Sequence, residues 1–241
     1  MKFEFDDIGT KLQIDIYENP GGKPKDHLIN QIKSRIEIFD QAYSRFRSDS
    51  LITKMSLRKG VYNLPDDAQT LFDLYKKLYT ITDGAVTPLI GQLLVDAGYD
   101  ANYSLTQQKK LTQPPEWDKA IHYGFPKLTV KKPSLLDFGA AGKGYLIDIV
   151  SQILEINNIR SYCIDAGGDI RYRHHEKKPL RVGFEDPENT QQVIGVAEII
   201  NQSICGSAGN RRKWGKYHHI FNPNTMKPVD NILATWATSK T

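Results

Sequence analysis

Asp137-Phe138-Gly139-Ala140-Ala141-Gly142-Lys143-Gly144-Tyr145 is the stretch on which the reading of this chain turns. An apolar run, Ser134-Leu135-Leu136-Asp137-Phe138, leads into it and predicts a short strand. Beyond it Leu146, Ile149 and Ile153 recur at helical spacing and predict a helix over residues 145–157. A strand that turns through glycines into a helix brings backbone N–H groups and the positive end of the helix dipole to one spot, which favours a phosphate. Lys143 adds a point charge there. The segment is not a P-loop, because only two residues separate Gly139 from Gly142 and Gly144 stands where Ser or Thr belongs. Nor does it have the spacing of the dinucleotide fingerprint. Taken alone it reads equally as a tight turn packed by glycines.

Working outward, Ser161 to Ile164 predicts a strand that closes on Asp165-Ala166-Gly167-Gly168-Asp169, where two glycines allow a ligand to approach the backbone. A plain acidic turn is the simpler reading. Ser203-Ile204-Cys205-Gly206-Ser207-Ala208-Gly209-Asn210-Arg211 reads as a small-residue loop, with an arginine able to reach phosphates. Lys216 to Thr225 holds His218 and His219 on an expected strand, Tyr217 to Phe221. Strand neighbours point to opposite faces, so only one histidine can look into a site, and the two are a poor metal pair. One of them suits a general base near neutral pH. His174-His175 lies in a charged stretch and reads as a solvated loop.

The rest mixes helices and strands without strict alternation, which makes the class α+β. Leu12 to Tyr17 alternates as a half-buried strand, Asn19-Pro20-Gly21-Gly22 is a turn, and Leu28, Ile32, Ile36 and Phe39 mark a helix over residues 27–42. A second helix is predicted from near Asp66 to just before Asp83-Gly84, with Ala68, Leu71, Tyr75 and Leu78 on its stripe. Leu180–Phe184 and Gly195–Ile200 are further strands. The polar, proline-bearing region 99–133 reads as an excursion between lobes at roughly 1–98 and 134–241.

The 241 residues are enough for one large domain, and 39% hydrophobic with 25% charged residues is an ordinary globular composition. The 32 basic and 28 acidic residues are dispersed, which argues against a nucleic-acid surface and suits a small anionic ligand. Two cysteines exclude a disulfide scaffold, and both are expected to be buried thiols. No apolar run reaches the roughly 20 residues of a membrane span. The acidic, alternating N-terminus is not a signal peptide, so the default expectation is a cytosolic protein.

In their order, these pieces resemble the ApbE family of FAD:protein FMN transferases. Phe5 to Thr10 is similar to the family's opening Met-Gly-Thr strand, and Ser44 to Ser50 to its Ser-x-Tyr-Arg-x-x-Ser loop. Thr82-Asp83-Gly84-Ala85-Val86 resembles its Asp-Gly-Ala segment. Asp137 through Asp148 resembles Asp-Leu-Gly-Ala-Ile-Ala-Lys-Gly-Tyr-x-x-Asp almost throughout, and Gly167-Gly168-Asp169, Ser207 and His219 to Thr225 follow in register. There are departures: Thr87 and Leu89 stand for an Asp and a Thr, Leu51 for a Glu, and Asn222 for an Asp.

The resemblance implies an ApbE-like fold spanning residues 1–241 and a reaction in which FAD is cleaved, FMN is joined to a Thr or Ser of an acceptor flavoprotein, and AMP leaves, with Mg²⁺ required. It implies Lys143 and His219 as catalytic groups. The implied FAD contacts are Ser44, Arg47, Ser50, Asp83, Gly84, Lys143, Gly144, Asp148, Gly167, Gly168, Asp169, Ser207 and Thr225. Backbone carbonyls of Ala140, Ala141 and Gly142 are implied as Mg²⁺ ligands. The family runs on into an Ala-Asp-x-x-x-Thr segment that completes the metal site, so a chain stopping at Thr241 is expected to be truncated. FAD hydrolysis, and flavin binding without chemistry, are the alternative functions.

Overall fold

The computed structural model describes residues 1–7, 9–18 and 25–240; Ile8, the expected turn at Asn19–Gly22, and Thr241 lie outside the described residues. The chain groups into two compact units that interleave along the sequence. The first comprises residues 1–38, 143–211 and 232–241, the second residues 39–142 and 212–231. This division differs from lobes at 1–98 and 134–241, because the first strands find their partners in the middle of the chain.

In the first unit, β1 (Lys2–Asp7), β2 (Thr10–Ile16), β6 (Tyr162–Ala166), β7 (Ile170–Arg173), β10 (Ser203–Ala208) and β15 (Ala234–Ser239) form an antiparallel sheet in that order. Leu12, Ile14 and Ile16 of β2 are buried, as their alternation predicts. So are Leu28, Ile32 and Ile36 of helix α1 (Lys25–Tyr43), and Leu146, Val150 and Leu154 of α6 (Gly142–Ile156). A separate hairpin, β8 (Leu180–Glu185) with β9 (Val193–Ile199), contributes Ile199 to an apolar cluster with Cys163, Tyr172 and Ile204. The expected loop at 203–211 is therefore mostly strand β10. Its alternation buries Ile204 and leaves Cys205 exposed, which corrects the expectation of two buried thiols; both are free.

In the second unit, α3 (Ala68–Ile81) buries Ala68, Leu71, Phe72 and Tyr75. The rings of Tyr43, Phe72 and Tyr75 meet Phe138 edge-on at centroid distances of 5.6, 5.3 and 5.3 Å. Such edge-to-face contacts fix ring orientation as well as burying area. Helix α2 (Leu51–Leu57) precedes β3 (Gly60–Asn63), which joins β4 (Ile121–Gly124) and β5 (Lys127–Val130) in a sheet of order β3-β5-β4. With α5 (Trp117–Ala120), this hairpin turns much of the expected excursion into core, because Trp117, Ile121 and Leu128 are buried. Helix α4 (Gly91–Asp96) packs Leu93 and Leu94 into a cluster with Tyr99, Trp214, Tyr217 and Phe221.

Two further expectations are corrected. Residues 134–138 make no ladder; Leu136 and Phe138 are buried singly, and the Asp137 amide donates to the Pro88 carbonyl at 2.7 Å. The strand expected over 217–221 is broken into two-residue bridges: β11 (Lys213–Trp214) pairs with β12 (Tyr217–His218), and β13 (Phe221–Asn222) with β14 (Lys227–Pro228). Among the described residues no helix is long and apolar enough to cross a membrane.

Candidate functional site

The glycine-rich turn differs from the expected phosphate cradle in one decisive respect: its amides point inward. The Gly139 amide donates to Asp137 Oδ1 at 2.7 Å, and the Ala141 amide to the Tyr75 hydroxyl at 3.2 Å. The Ala141 amide also reaches the Phe138 carbonyl at 3.2 Å, and the Gly142 amide donates to that carbonyl at 2.7 Å. The amides of Gly139, Ala141 and Gly142 are therefore satisfied by the protein itself. Helix α6 begins at Gly142, earlier than expected, so Lys143 and Gly144 sit in its first turn and not in the loop.

Asp137 is held in turn by Arg45. The Arg45 Nε donates to Asp137 Oδ2, and its Nη1 donates to the Tyr99 carbonyl at 2.7 Å. The guanidinium lies 4.2 Å from the Phe46 ring centroid and 4.7 Å from that of Tyr99. Only 2% of the Arg45 side chain is exposed, and its Nη2 has no hydrogen-bond partner among the described residues. The resemblance points to Arg47 in this segment, yet the arginine that is buried is Arg45. Arg47 instead pairs with Asp49 and Asp40. Ser50 is fully buried as the N-cap of α2, its oxygen accepting from the Thr53 amide at 3.1 Å, and the Ser44 amide donates to the Asp40 carbonyl.

In the first unit, the Lys143 ammonium lies 2.7 Å from Asp169 Oδ2 and donates to the Ala166 carbonyl at 3.4 Å. Lys143 is therefore neither loose in solvent nor part of the loop. The 165–169 turn beside it has left-handed φ at Gly167 and Gly168, and Asp165 Oδ1 accepts from the Gly168 amide at 2.8 Å. A Cβ on Gly167 would stand 2.4 Å from the Thr10 hydroxyl oxygen, so a larger residue is excluded there. Cys205 shares this neighbourhood. Although the residue is exposed, its sulfur is partly withdrawn from water, which raises the thiol to about 11, and the Asp169 carboxylate adds to the rise. Ser207, two residues on in β10, lies on the same face as Cys205 and is exposed. Asp148 is half-buried on α6; burial raises its carboxyl and the Arg171 guanidinium pulls it back. Lys143, Asp148, Gly167, Gly168, Asp169 and Ser207 thus fall in one unit.

The second unit holds the others. Helix α3 ends in a left-handed pair, Asp83 and Gly84, with the Gly84 amide donating to the Tyr79 carbonyl at 2.8 Å. These two residues line a cleft of about 720 Å³ with Tyr79, Thr87, Pro223 and Asn224. Asn222 Oδ1 accepts from the amides of Asn224 and Thr225, which builds a local turn at that rim. His218 Nε2 lies 2.9 Å from the Val229 carbonyl, while its Nδ1 accepts from the Ile220 amide, so its ring is locked as the neutral Nε2–H tautomer. His219 follows the end of β12, half-buried, its amide donating to the Arg212 carbonyl. The alternation expected to separate the two histidines does not apply, because the strand ends at His218.

For a metal the donors are poor. Among the described residues no three His, Cys, Asp or Glu side chains converge, and the carbonyls of Ala141 and Gly142 lead directly into the α6 hydrogen-bond ladder. The described donor set does not fit a Mg²⁺ ion, which is usually held by carboxylates and substrate phosphates.

Comparison with known proteins gives a family match to the ApbE family over residues 8–238. The FAD:protein FMN transferase of Vibrio cholerae serotype O1 is 24% identical, over 95% of this chain and 73% of its own length. That of Escherichia coli K12 is 22% identical, over 86% of this chain and 65% of its own. The chain thus spans about two thirds to three quarters of these curated relatives. Among solved structures, the flavin transferase ApbE of V. cholerae superimposes with a TM-score of 0.82, and the ApbE protein of Thermotoga maritima with 0.85. Each is 20% identical and covers all of this chain and 82% of its own.

Proposed function

Because the chain belongs to the ApbE family, we propose that it transfers FMN from FAD to a hydroxyl of an acceptor flavoprotein. The observation that carries this reading is the Lys143–Asp169 pair at the first turn of α6, beside a glycine turn that is open at Gly168. An ammonium held at a fixed place can neutralise a pyrophosphate without having to be ordered during the reaction. In the proposed step the acceptor's Thr or Ser oxygen attacks the FMN-side phosphorus and the bridging P–O bond breaks. AMP departs with the bond's electron pair, and the hydroxyl proton passes to His219. The resemblance also implies Mg²⁺, but no step here is routed through it, since the described donors do not fit the ion. The test is incubation with FAD, divalent metal and a candidate flavoprotein. A mass gain of one FMN on the acceptor with release of AMP is the expected result. Free FMN without acceptor labelling means hydrolysis, and unchanged FAD means binding alone; either outcome overturns the proposal.

Two smaller effects are expected. Lys143→Met removes the cation and leaves Asp169, whose side chain is only 13% exposed, without its partner. FAD affinity should fall roughly tenfold, the value of about one charged contact, and stability by about 1–3 kcal/mol. Fluorescence titration and thermal unfolding read the two separately, and equal affinity in the variant would deny Lys143 its role. Gly144→Ala works the other way on stability. Nothing lies within 4 Å of the position its Cβ would take, and alanine favours a helix by about 1 kcal/mol over glycine. The variant should melt higher yet bind FAD less well, because the methyl fills the space the proposal gives to the ligand. Unchanged affinity in Gly144→Ala would move the ligand away from α6.

A further inference from the structure

The two strands of the β8–β9 hairpin carry different sequence patterns. Leu180-Arg181-Val182-Gly183-Phe184-Glu185 alternates, and its Leu180, Val182 and Phe184 pack onto the cluster of Cys163, Tyr172, Ile199 and Ile204. That is the pattern of a strand with one face in water. Val193-Ile194-Gly195-Val196-Ala197-Glu198-Ile199 is apolar at both parities, the pattern of a strand covered on both faces. Yet only the face of Ala197 and Ile199 is packed on that cluster. Among the described residues the outer face is left open: Val193, Ile194, Val196 and Ile200 are 60, 59, 50 and 43% exposed. Ile194 is the extra residue of the bulge at Phe184–Glu185. The methyls of Val193 lean over Gly183, 3.3 Å from where a Cβ would stand.

We infer that this outer face is an interface between two copies of the chain. The register of the hairpin makes the face complementary to itself. Arg181 stands opposite Glu198 and Gly183 opposite Val196, and all four are exposed. A two-fold axis along the strands, midway between them, lays β8 of one copy over β9 of the other. Arg181 then faces the partner's Glu198, and Val196 faces the partner's Gly183. Opposite charges meet, and the bulkier side chain meets the position without one. With its one cation matched by one anion, the face lacks the basic excess that holds proteins on nucleic acid or anionic lipid. Two strands of this length cover about 23 Å by about 10 Å, well below the roughly 800 Å² per partner of a standard interface. The contact is therefore weak and concentration-dependent, with a Kd above about 1 µM.

Sedimentation equilibrium of the full chain between about 5 and about 500 µM should show the mass rising from one chain toward two. Val196→Asp buries an unpaired carboxylate in the contact and should raise Kd at least about tenfold. Leu57→Asp, at a residue 75% exposed on α2, is the control and should leave Kd unchanged. Circular dichroism checks that each variant folds. Arg181→Glu and Glu198→Arg should each self-associate less, because like charges then face each other across the axis. Mixed together, these two variants should pair about as tightly as the unaltered chain, and a chain carrying both changes should do the same. Recovery on mixing separates pairing from folding, since mixing alters neither chain. A mass that stays at one chain up to about 500 µM overturns the inference. So does a Kd unmoved by Val196→Asp, or a mixture no tighter than its components. Retention of the single chain on phosphatidylcholine vesicles, lost in Val196→Asp, would give the face to a membrane surface and overturn it as well.

Discussion

Arg45→Met should lower the stability of the folded protein by about 3–5 kcal/mol, the usual loss when one partner of a buried ion pair is removed. The Arg45 side chain is 2% exposed and that of Asp137 13%, so water cannot replace the missing cation. Methionine keeps much of the packing against Phe46 and Tyr99, which confines the loss to charge and hydrogen bonds. It also frees the Tyr99 carbonyl that Nη1 now satisfies. Asp137→Asn, made in the Arg45→Met background, should restore part of the loss. An amide oxygen can still accept from Gly139, and no uncompensated charge remains. Urea unfolding of the single and double variants reads the coupling. A single-variant loss below about 1 kcal/mol, the range of exposed pairs, would mean that the ion pair is solvated in solution.

The second large effect is kinetic. His219→Ala should slow FMN transfer by roughly a hundredfold to ten-thousandfold, the range for loss of a general base. His218 is a poor rival because both ring nitrogens are engaged, Nε2 with Val229 and Nδ1 with Ile220. His218→Ala should therefore loosen the segment between β12 and β14 and change the transfer rate far less. Rate measured against acceptor concentration, with thermal unfolding alongside, distinguishes the two roles. A larger rate loss in the His218 variant would reverse the assignment.

The helices α1, α3 and α6 and the strand β2 were legible because each carries an apolar period long enough to announce itself, such as Leu28, Ile32 and Ile36 or Leu12, Ile14 and Ile16. The bridges β11 to β14 were not, since two residues hold no period. The order of family-like segments was readable; the inward amides of the turn were not. One of their acceptors is the hydroxyl of Tyr75, far away in sequence, and a helix stripe gives tyrosine the same place as phenylalanine. Arg45 and Arg47 flank Phe46 symmetrically on paper. Only packing decides that the first is buried against Asp137 and the second is held near the surface by Asp49.

The interleaved sheet also sets an order of events during synthesis. Leu12 pairs with Ala166 and Ser203 with Ser239, so β2 must wait for β6, and β10 for β15. At typical elongation rates the first wait lasts on the order of ten seconds. For that time the β1–β2 hairpin is exposed with Leu12, Ile14 and Ile16 uncovered, and an isolated two-stranded hairpin is barely stable. The segment 39–142, by contrast, contains the whole of the β3-β5-β4 sheet and can close as it emerges. The nascent chain thus carries an unsheltered apolar strand, β2, while the segment that follows it is already folded.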